Sequence, residues 1–459
     1  MFYGVRITQG PSDWQVLQRR ESRAQVQLKG DWQLEKGAII AGVRSATPVI
    51  RVVHELDQSL LIPWTACDYQ TGDGICGQWE TTLTLPQGGP YRIDTSLDAV
   101  SSASGEHWMF HGDIRLHIGV GDIFCIAGQS NAAGYAKGLA YDPPDVRLRL
   151  LRNRGRWDMA AHPMNDATDA EDCVNAPMGV SGTSPFLSFG RRYADYTGLP
   201  VGLIQAAQGG SSMKRWDDRR DGDLFHNMIN KLKTCGGIRA IIWYQGCADA
   251  NEVDATLYLD SFTHMVDAVR NATNCCIPFF TMQLNKFSLQ DDKVSWAAIK
   301  EAQRQAARNI EAVWLLPTSL LSMSDEVHNS AHGNVVLGEM LARQIHGALN
   351  GGTPYLAPAL DNAEMKNHCI RLAFRNTNAL MRLNSLMDYQ DFDIIDNAGK
   401  VAVSSISVSG REIILTPERS LCGRIFVTYG CNPLGPLAPI IDQSTYLPLI
   451  AFNNVEVSV

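Results

Sequence analysis

The sequence contains no run of about 20 uninterrupted apolar residues, which excludes a membrane-spanning helix. It contains no long basic stretch either. With a formal net charge of −8, the electrostatic footprint of a nucleic-acid-binding protein is excluded. There is no CxxC and no HExxH, and no other Cys/His spacing resembles a zinc set. Residues Met1 to Gly10 lack the basic start and apolar core of a signal peptide. A cytoplasmic chain is therefore expected, or a periplasmic or secreted one if a leader has been removed. Internal repeats and low-complexity linkers are absent, and no feature bears on oligomeric state. Cysteine is moderate at eleven, an odd number that leaves at least one thiol unpaired. Cys67 and Cys76 flank a Gly/Asp-rich loop and could close it as a disulfide.

What is present describes an ordinary globular protein: 45% hydrophobic and 19% charged residues in 459. That length exceeds what one core usually carries, so two or three domains are expected. Up to about Gly121 the pattern is one of short alternating segments, such as Ala24–Leu28, Val49–Val53, Trp79–Leu85 and Tyr91–Ile93, separated by turn residues. Strands without helices suggest a β-sandwich-like module over residues 1–120.

The rhythm then changes. Five apolar runs (Ile123–Ala127, Val201–Ala207, Ala240–Tyr244, Ile277–Met282, Ala312–Leu316) alternate with helix-length segments at Phe186–Tyr196, Leu224–Cys235, Ala255–Val269, Val294–Asn309 and Val335–Ala348. This predicts a doubly wound parallel α/β sheet of about five strands over 121–355. Strand patterns return at Cys369–Phe374, Val401–Val408, Glu412–Leu415 and Ile425–Tyr429, giving a β-rich module over 356–459.

In doubly wound sheets ligands bind beyond the carboxyl ends of the strands. The first run ends in Gly128-Gln129-Ser130-Asn131, the second in Gln208-Gly209-Gly210-Ser211-Ser212 followed by Lys214-Arg215-Trp216. The third ends in Gln245-Gly246-Cys247-Ala248-Asp249, and beyond the fifth lies Ser324-Asp325-Glu326-Val327-His328. Ester hydrolysis needs these group types together. A serine is weakly nucleophilic until an imidazole takes its proton, and a carboxylate must orient that imidazole. The developing oxyanion needs donors fixed in advance.

Each fragment has a plainer reading. Ser130 would ordinarily be an N-cap, Gly209-Gly210 a turn, and a tryptophan such as Trp157, Trp216 or Trp243 part of the core rather than a sugar platform. Glu326 and Asp249 rival Asp325 as the acid, and His332 lies one helical turn beyond His328. Asp325 is preferred because DxxH lets one short loop present both groups. The coincidence of the fragments at four strand ends tips the reading towards catalysis.

These motifs, Gly128-Gln-Ser-Asn131, Gly209-Gly-Ser211 with Trp216, Gln245-Gly246 with Asp249, and Asp325-x-x-His328, resemble those of the sialate O-acetylesterase family, a branch of the SGNH-hydrolase superfamily related to acetyl-xylan esterases. Val16-Leu-Gln-Arg19 and Gly121-Asp-Ile resemble that family's N-terminal β-module. The resemblance implies an SGNH/flavodoxin-like core and removal of O-acetyl groups from a sugar without metal or cofactor. It implies Ser130 as nucleophile, His328 as general base and Asp325 as its partner. The oxyanion donors would be the amides of Ser130 and Gly210, with Gly209 as rival, and the Gln245 side chain. Substrate contacts would come from Gln129, Asn131, Lys214, Arg215 and Trp216, the two cations suiting a carboxylated sugar such as sialic acid. One departure stands out: the family's Gln-Gly-Glu-Ser-Asp reads Gln245-Gly-Cys247-Ala248-Asp249 here. Three readings follow: an acetylesterase of sialic acids or of acetyl-xylan and other polysaccharides, a carbohydrate-binding protein on the same fold that has lost turnover, and a lipase-like esterase preferring long acyl chains.

Overall fold

In the computed structural model, which describes residues 2–458 other than 72–73, 103, 169, 171–173, 175–181, 288–292, 384–390, 433–434 and 437, one long strand joins two sheets. This strand, β1 (His107–Gly128), is 22 residues long. Its first half alternates in burial and pairs antiparallel with Gly88–Ser101. From Ile118 onward it is buried on both faces, and from Asp122 its neighbours are parallel, as expected where helices and a second layer cover both sides. The expected boundary at residue 121 therefore falls inside one continuous strand.

Upstream, Gly4–Gln9, Arg23–Gln33, Cys76–Pro86 and Asp68–Thr71 form a four-stranded antiparallel sheet. Period-two burial along Arg23–Gln33 turns Ala24, Val26 and Leu28 inward. They meet Ile50, Val52, Ile93 and Leu97 of the second sheet in one core. Cys67 keeps a free thiol, so the expected Cys67–Cys76 bridge does not form. Burial instead holds the Cys67 thiol at about 12.

Downstream come β2 (Leu148–Leu151), β3 (Trp157–Met159), β4 (Val201–Gln205), β5 (Ala240–Tyr244), β6 (Phe279–Met282) and β7 (Val313–Leu316). The order is β3-β2-β4-β1-β5-β6-β7, parallel except for β3 at the edge. All five expected runs are strands of this sheet, but five is an undercount. β2 has four residues with Arg149 among them and β3 has three with Asp158, too short and too polar for a periodicity to register.

Among the described residues, a short helix Lys36–Ile40 lies in the N-terminal region, and those after β1 are α1 (Ser130–Ala133), α2 (Phe186–Thr197), α3 (Asp223–Thr234), α4 (Asp254–Thr273), α5 (Lys293–Asn309) and α6 (Ala331–Leu349). α2 packs on α6, while α3, α4 and α5 pack in succession. Gly338 allows the first contact, because a Cβ there would lie 2.1 Å from Ser188 Oγ. The chain leaves β1 towards β2 on one side and later crosses to β5 on the other. The carboxyl end of β1 is thus the point where strand order reverses, and that opens a crevice.

Among the described residues the C-terminal strands build three further small sheets around Ile370, Leu372, Ile394, Ile413, Val427 and Phe452. The expected strand Val401–Val408 is interrupted at Ala402. This region docks on the central sheet through Gln283, which exchanges two hydrogen bonds with the Ala451 backbone at 2.9 Å each. Buried Lys300 adds a bond to the Gly430 carbonyl at 3.1 Å.

At the foot of β1, Val16–Gln18 pairs in parallel with Gly119–Gly121. Arg19 grips the fully buried Asp122 with two bonds of 2.9 and 3.0 Å, and Tyr193 donates to the same carboxylate at 2.8 Å. Removing the cation strands a buried charge, which costs about 3–5 kcal/mol. Arg19→Met should therefore lower the urea unfolding midpoint sharply. Arg6→Met, which loses an exposed pair with Asp31, should cost less than about 1 kcal/mol. Equal midpoints for the two variants would contradict the assignment.

Candidate active site

β1 and β5 remain paired up to Gly128 and Tyr244, and Gln129 N still donates to the Tyr244 carbonyl at 3.0 Å. A Cβ on Gly128 would lie 2.2 Å from that carbonyl oxygen, and its φ of +123° suits only glycine. The chain turns out of the sheet here and starts α1. Gln129 occupies the N-cap and Ser130 is the first helical residue, so the N-cap reading of Ser130 is corrected. Its hydroxyl has a different partner.

Ser130 Oγ lies 2.8 Å from His328 Nε2, and His328 Nδ1 lies 2.9 Å from both oxygens of Asp325. An ionised carboxylate only accepts, so the proton sits on Nδ1 and Nε2 is left to accept from the serine. The Asp325–His328 loop is folded by its own acid: Asp325 accepts the amides of Val327 at 3.1 Å and His328 at 2.9 Å. Burial opposes the charge on Asp325, but His328 and these two amides outweigh it and hold the carboxyl at about 2. The rivals Glu326 and His332 are exposed to solvent.

Gln129 and Asn131, both expected to touch substrate, are buried and engaged with the chain itself. Gln129 Oε1 accepts the amides of Gly246 at 3.0 Å and Ala248 at 3.2 Å, pinning the loop after β5. Asn131 donates to the Val327 carbonyl at 2.9 Å and accepts from Asn329 N at 3.2 Å, straddling His328. Asn329 is held in turn by Asn285 and Asn334 at 2.8 and 3.1 Å.

The Gly209-Gly210 turn is fastened beside Gly128, whose carbonyl accepts from Gln208 N at 2.9 Å and Ser211 Oγ at 3.4 Å. Gly210, at φ +68°, is exposed with open space where a Cβ would stand, whereas Gly209 lies against the Tyr135 hydroxyl. Tyr135, whose ring centre is 6.1 Å from that of His328, is a neighbour that no sequence motif signalled.

Gln245 is corrected as an oxyanion donor. It is fully buried, and its amide hydrogens go to the Ser211 carbonyl at 3.1 Å and to Asp249. Asp249 also accepts Met213 N at 3.0 Å. Burial raises this carboxyl to about 6 despite those donors. The pair braces the Gly209-Gly210 turn from behind.

The other expected contacts are likewise taken. Trp216 is buried with its indole N–H on Ser211 Oγ at 3.0 Å, Arg215 pairs with Asp223 at 2.6 Å, and Lys214 with Asp221 at 3.2 Å. Trp157 and Trp243 are core residues. Cys247 carries a free thiol that burial pushes up to about 12, so it is neither bridged nor a ready nucleophile.

Among the described residues, Asp217, Asp218 and His264 bring ligand atoms within 4.8 Å of one another. Arg219 already pairs with Asp217 at 2.7 Å and His264 with Asp218 at 2.6 Å. This cluster is balanced by its own ion pairs.

Residues 120–347 match the family model described as carbohydrate esterase, sialic acid-specific acetylesterase. A probable carbohydrate esterase of Arabidopsis thaliana is 26% identical over 257 residues, covering 50% of this chain and 92% of the relative. The crystal structure of a carbohydrate acetylesterase from Xanthomonas citri superposes with a TM-score of 0.67 at 21% identity, covering 97% of this chain and 98% of the other. That likeness extends the shared fold to both β-rich ends.

The depressed Asp325 carboxyl carries a pH signature. Its folded-state value, about 2, lies below the ordinary 3.8, so its stabilisation is complete above pH 3.8 and lost as pH falls towards 2. The stability gap between the unaltered chain and Asp325→Asn should be about 2 kcal/mol near pH 6 and should shrink across that window, as followed by urea unfolding. A gap independent of pH would contradict the assignment.

Proposed function

Residues 120–347 belong to the sialic acid-specific acetylesterase family of carbohydrate esterases, and from that premise we propose that the chain is a serine esterase of SGNH type that removes O-acetyl groups from sugars. The observation that carries this reading is the single line of contacts Ser130–His328–Asp325 at 2.8 and 2.9 Å, with the imidazole proton fixed on the side away from the serine. In the first half-reaction His328 Nε2 takes the hydroxyl proton as Ser130 Oγ attacks the acetyl carbon. The oxyanion is received by the amides of Ser130 and Gly210, with Gly209 as rival. The Ser130 amide belongs to the first turn of α1, where N–H groups have no helical partner. The tetrahedral adduct collapses, the sugar oxygen leaves with the proton from His328, and Ser130 holds the acetyl group. Water, deprotonated by His328, then releases acetate and restores the hydroxyl.

O-acetylated sialic acids are the substrates that the family description names. One observation favours a neutral acetylated polysaccharide, such as acetyl-xylan, as a second reading: Lys214 and Arg215, the cations expected to meet a sugar carboxylate, are paired with Asp221 and Asp223.

Acetate release from p-nitrophenyl acetate, O-acetylated sialic acid and acetyl-xylan tests both levels. Ser130→Ala should lower kcat at least about a thousandfold on every active substrate. Activity that survives the substitution would defeat the serine mechanism, and a preference for long acyl chains would favour a lipase-like esterase. Binding of acetylated glycans without turnover by the unaltered chain would favour a carbohydrate-binding protein.

A further inference from the structure

The three tryptophans that could have stacked on a sugar are all in the core. An aromatic platform for the substrate must therefore come from elsewhere. Between α1 and β2 the chain forms a lip around residues 138–141. On it Leu139 is fully exposed and Tyr141 is 89% exposed. Two large apolar side chains thus stand in water two residues apart on one short segment.

The lip is tied to the candidate site at one end. Lys137 N donates to Ser324 Oγ at 3.3 Å, its carbonyl accepts from Ala331 N at 3.1 Å, and its ammonium lies 3.3 Å from Asp325. These partners sit on both sides of the Asp325–His328 loop. The other end is equally fixed. The Asp142 carboxylate, almost wholly buried, accepts from Arg191 at 2.7 Å and His162 at 2.9 Å. Arg191 also holds the Pro143 carbonyl at 2.8 Å. The Pro143-Pro144 pair then restricts the backbone that follows. The backbone on both sides of exposed Tyr141 is thus anchored, so the ordering cost of binding there falls on the side chain and not on the loop.

We propose that Tyr141, with Leu139 beside it, forms a stacking subsite for a glycosyl unit linked to the acetylated one. The preferred substrate class is then an acetylated oligosaccharide or polysaccharide rather than a free acetylated monosaccharide. The inference rests on the esterase reading above and deepens it. The apolar C–H face of a pyranose covers an aromatic ring, and the amphipathic tyrosine keeps its hydroxyl in water.

The test compares KM for acetylated xylo-oligosaccharides and acetylated xylose, and for O-acetylated sialyllactose and free O-acetylated sialic acid, in the unaltered chain, Tyr141→Ala and Tyr141→Trp. The unaltered chain should show the lower KM for the linked sugar of at least one pair. Tyr141→Ala should reduce that discrimination about tenfold, and Tyr141→Trp should retain it. Calorimetric binding of the deacetylated form of that linked sugar to Ser130→Ala, with and without Tyr141→Ala, should show the same difference in affinity. Discrimination unchanged by Tyr141→Ala, or no preference for linked sugar in either pair, would overturn the subsite. Absence of acetate release from any ester by the unaltered chain would instead defeat the esterase reading, and the binding arm would still judge Tyr141.

Discussion

The site depends on one steric constraint: β5 passes so close to the end of β1 that no side chain fits at Gly128. The strand must end there and the backbone must turn with a positive φ, which glycine alone adopts readily. The next three residues reach two other strand ends between them. Gln129 fixes the loop after β5, Ser130 points its hydroxyl at His328, and Asn131 clamps the loop that carries His328. Ser211 reaches back from the loop after β4 to the Gly128 carbonyl. Three loops are thereby registered against one turn, which is how Ser130 and His328, nearly 200 residues apart in sequence, come to lie within hydrogen-bond distance.

The parts that sequence made legible were those set by periodicity and by residue type. The five apolar runs are strands, the helices lie close to where their spacing puts them, and Ser130, Asp325 and His328 come together. What escaped was the direction of side chains. Gln129, Asn131, Gln245 and Trp216 stand in motifs next to the chemistry, and their types suit substrate contact equally well. Only the fold reveals that each is spent on a neighbouring loop. Gln245 is instructive: a side-chain amide near a serine reads as an oxyanion donor, yet Asp249, four residues on, competes for its hydrogens and wins. Short strands escaped for another reason. Arg149 inside β2 breaks the apolar pattern, and its place in the sheet follows from pairing with Leu148–Leu151's partners on β4 rather than from local composition.

The β-rich ends are not loosely attached. β1 belongs to both sheets, and Arg19 closes on its Asp122, so the N-terminal β-rich region and the central parallel sheet share a backbone as well as a buried ion pair. At the opposite end, Gln283 sits between the chain leaving β6 and the Ala451 backbone. Cys247, where the family glutamate would stand, is a protonated thiol beside this framework. The buried hydrogen bonding of Gln129, Gln245 and Asp249 supports the loop around it without that glutamate.

The central claim is that Ser130 takes the acetyl group during turnover. Rapid quenching of a single turnover on an acetylated sugar, followed by peptide mass analysis, addresses it directly. The account predicts one acetyl group on the peptide bearing Ser130, appearing before free acetate and disappearing as acetate is released. Acetate formed without any acetylated Ser130, or an acetyl group carried by another residue such as Cys247, would contradict it.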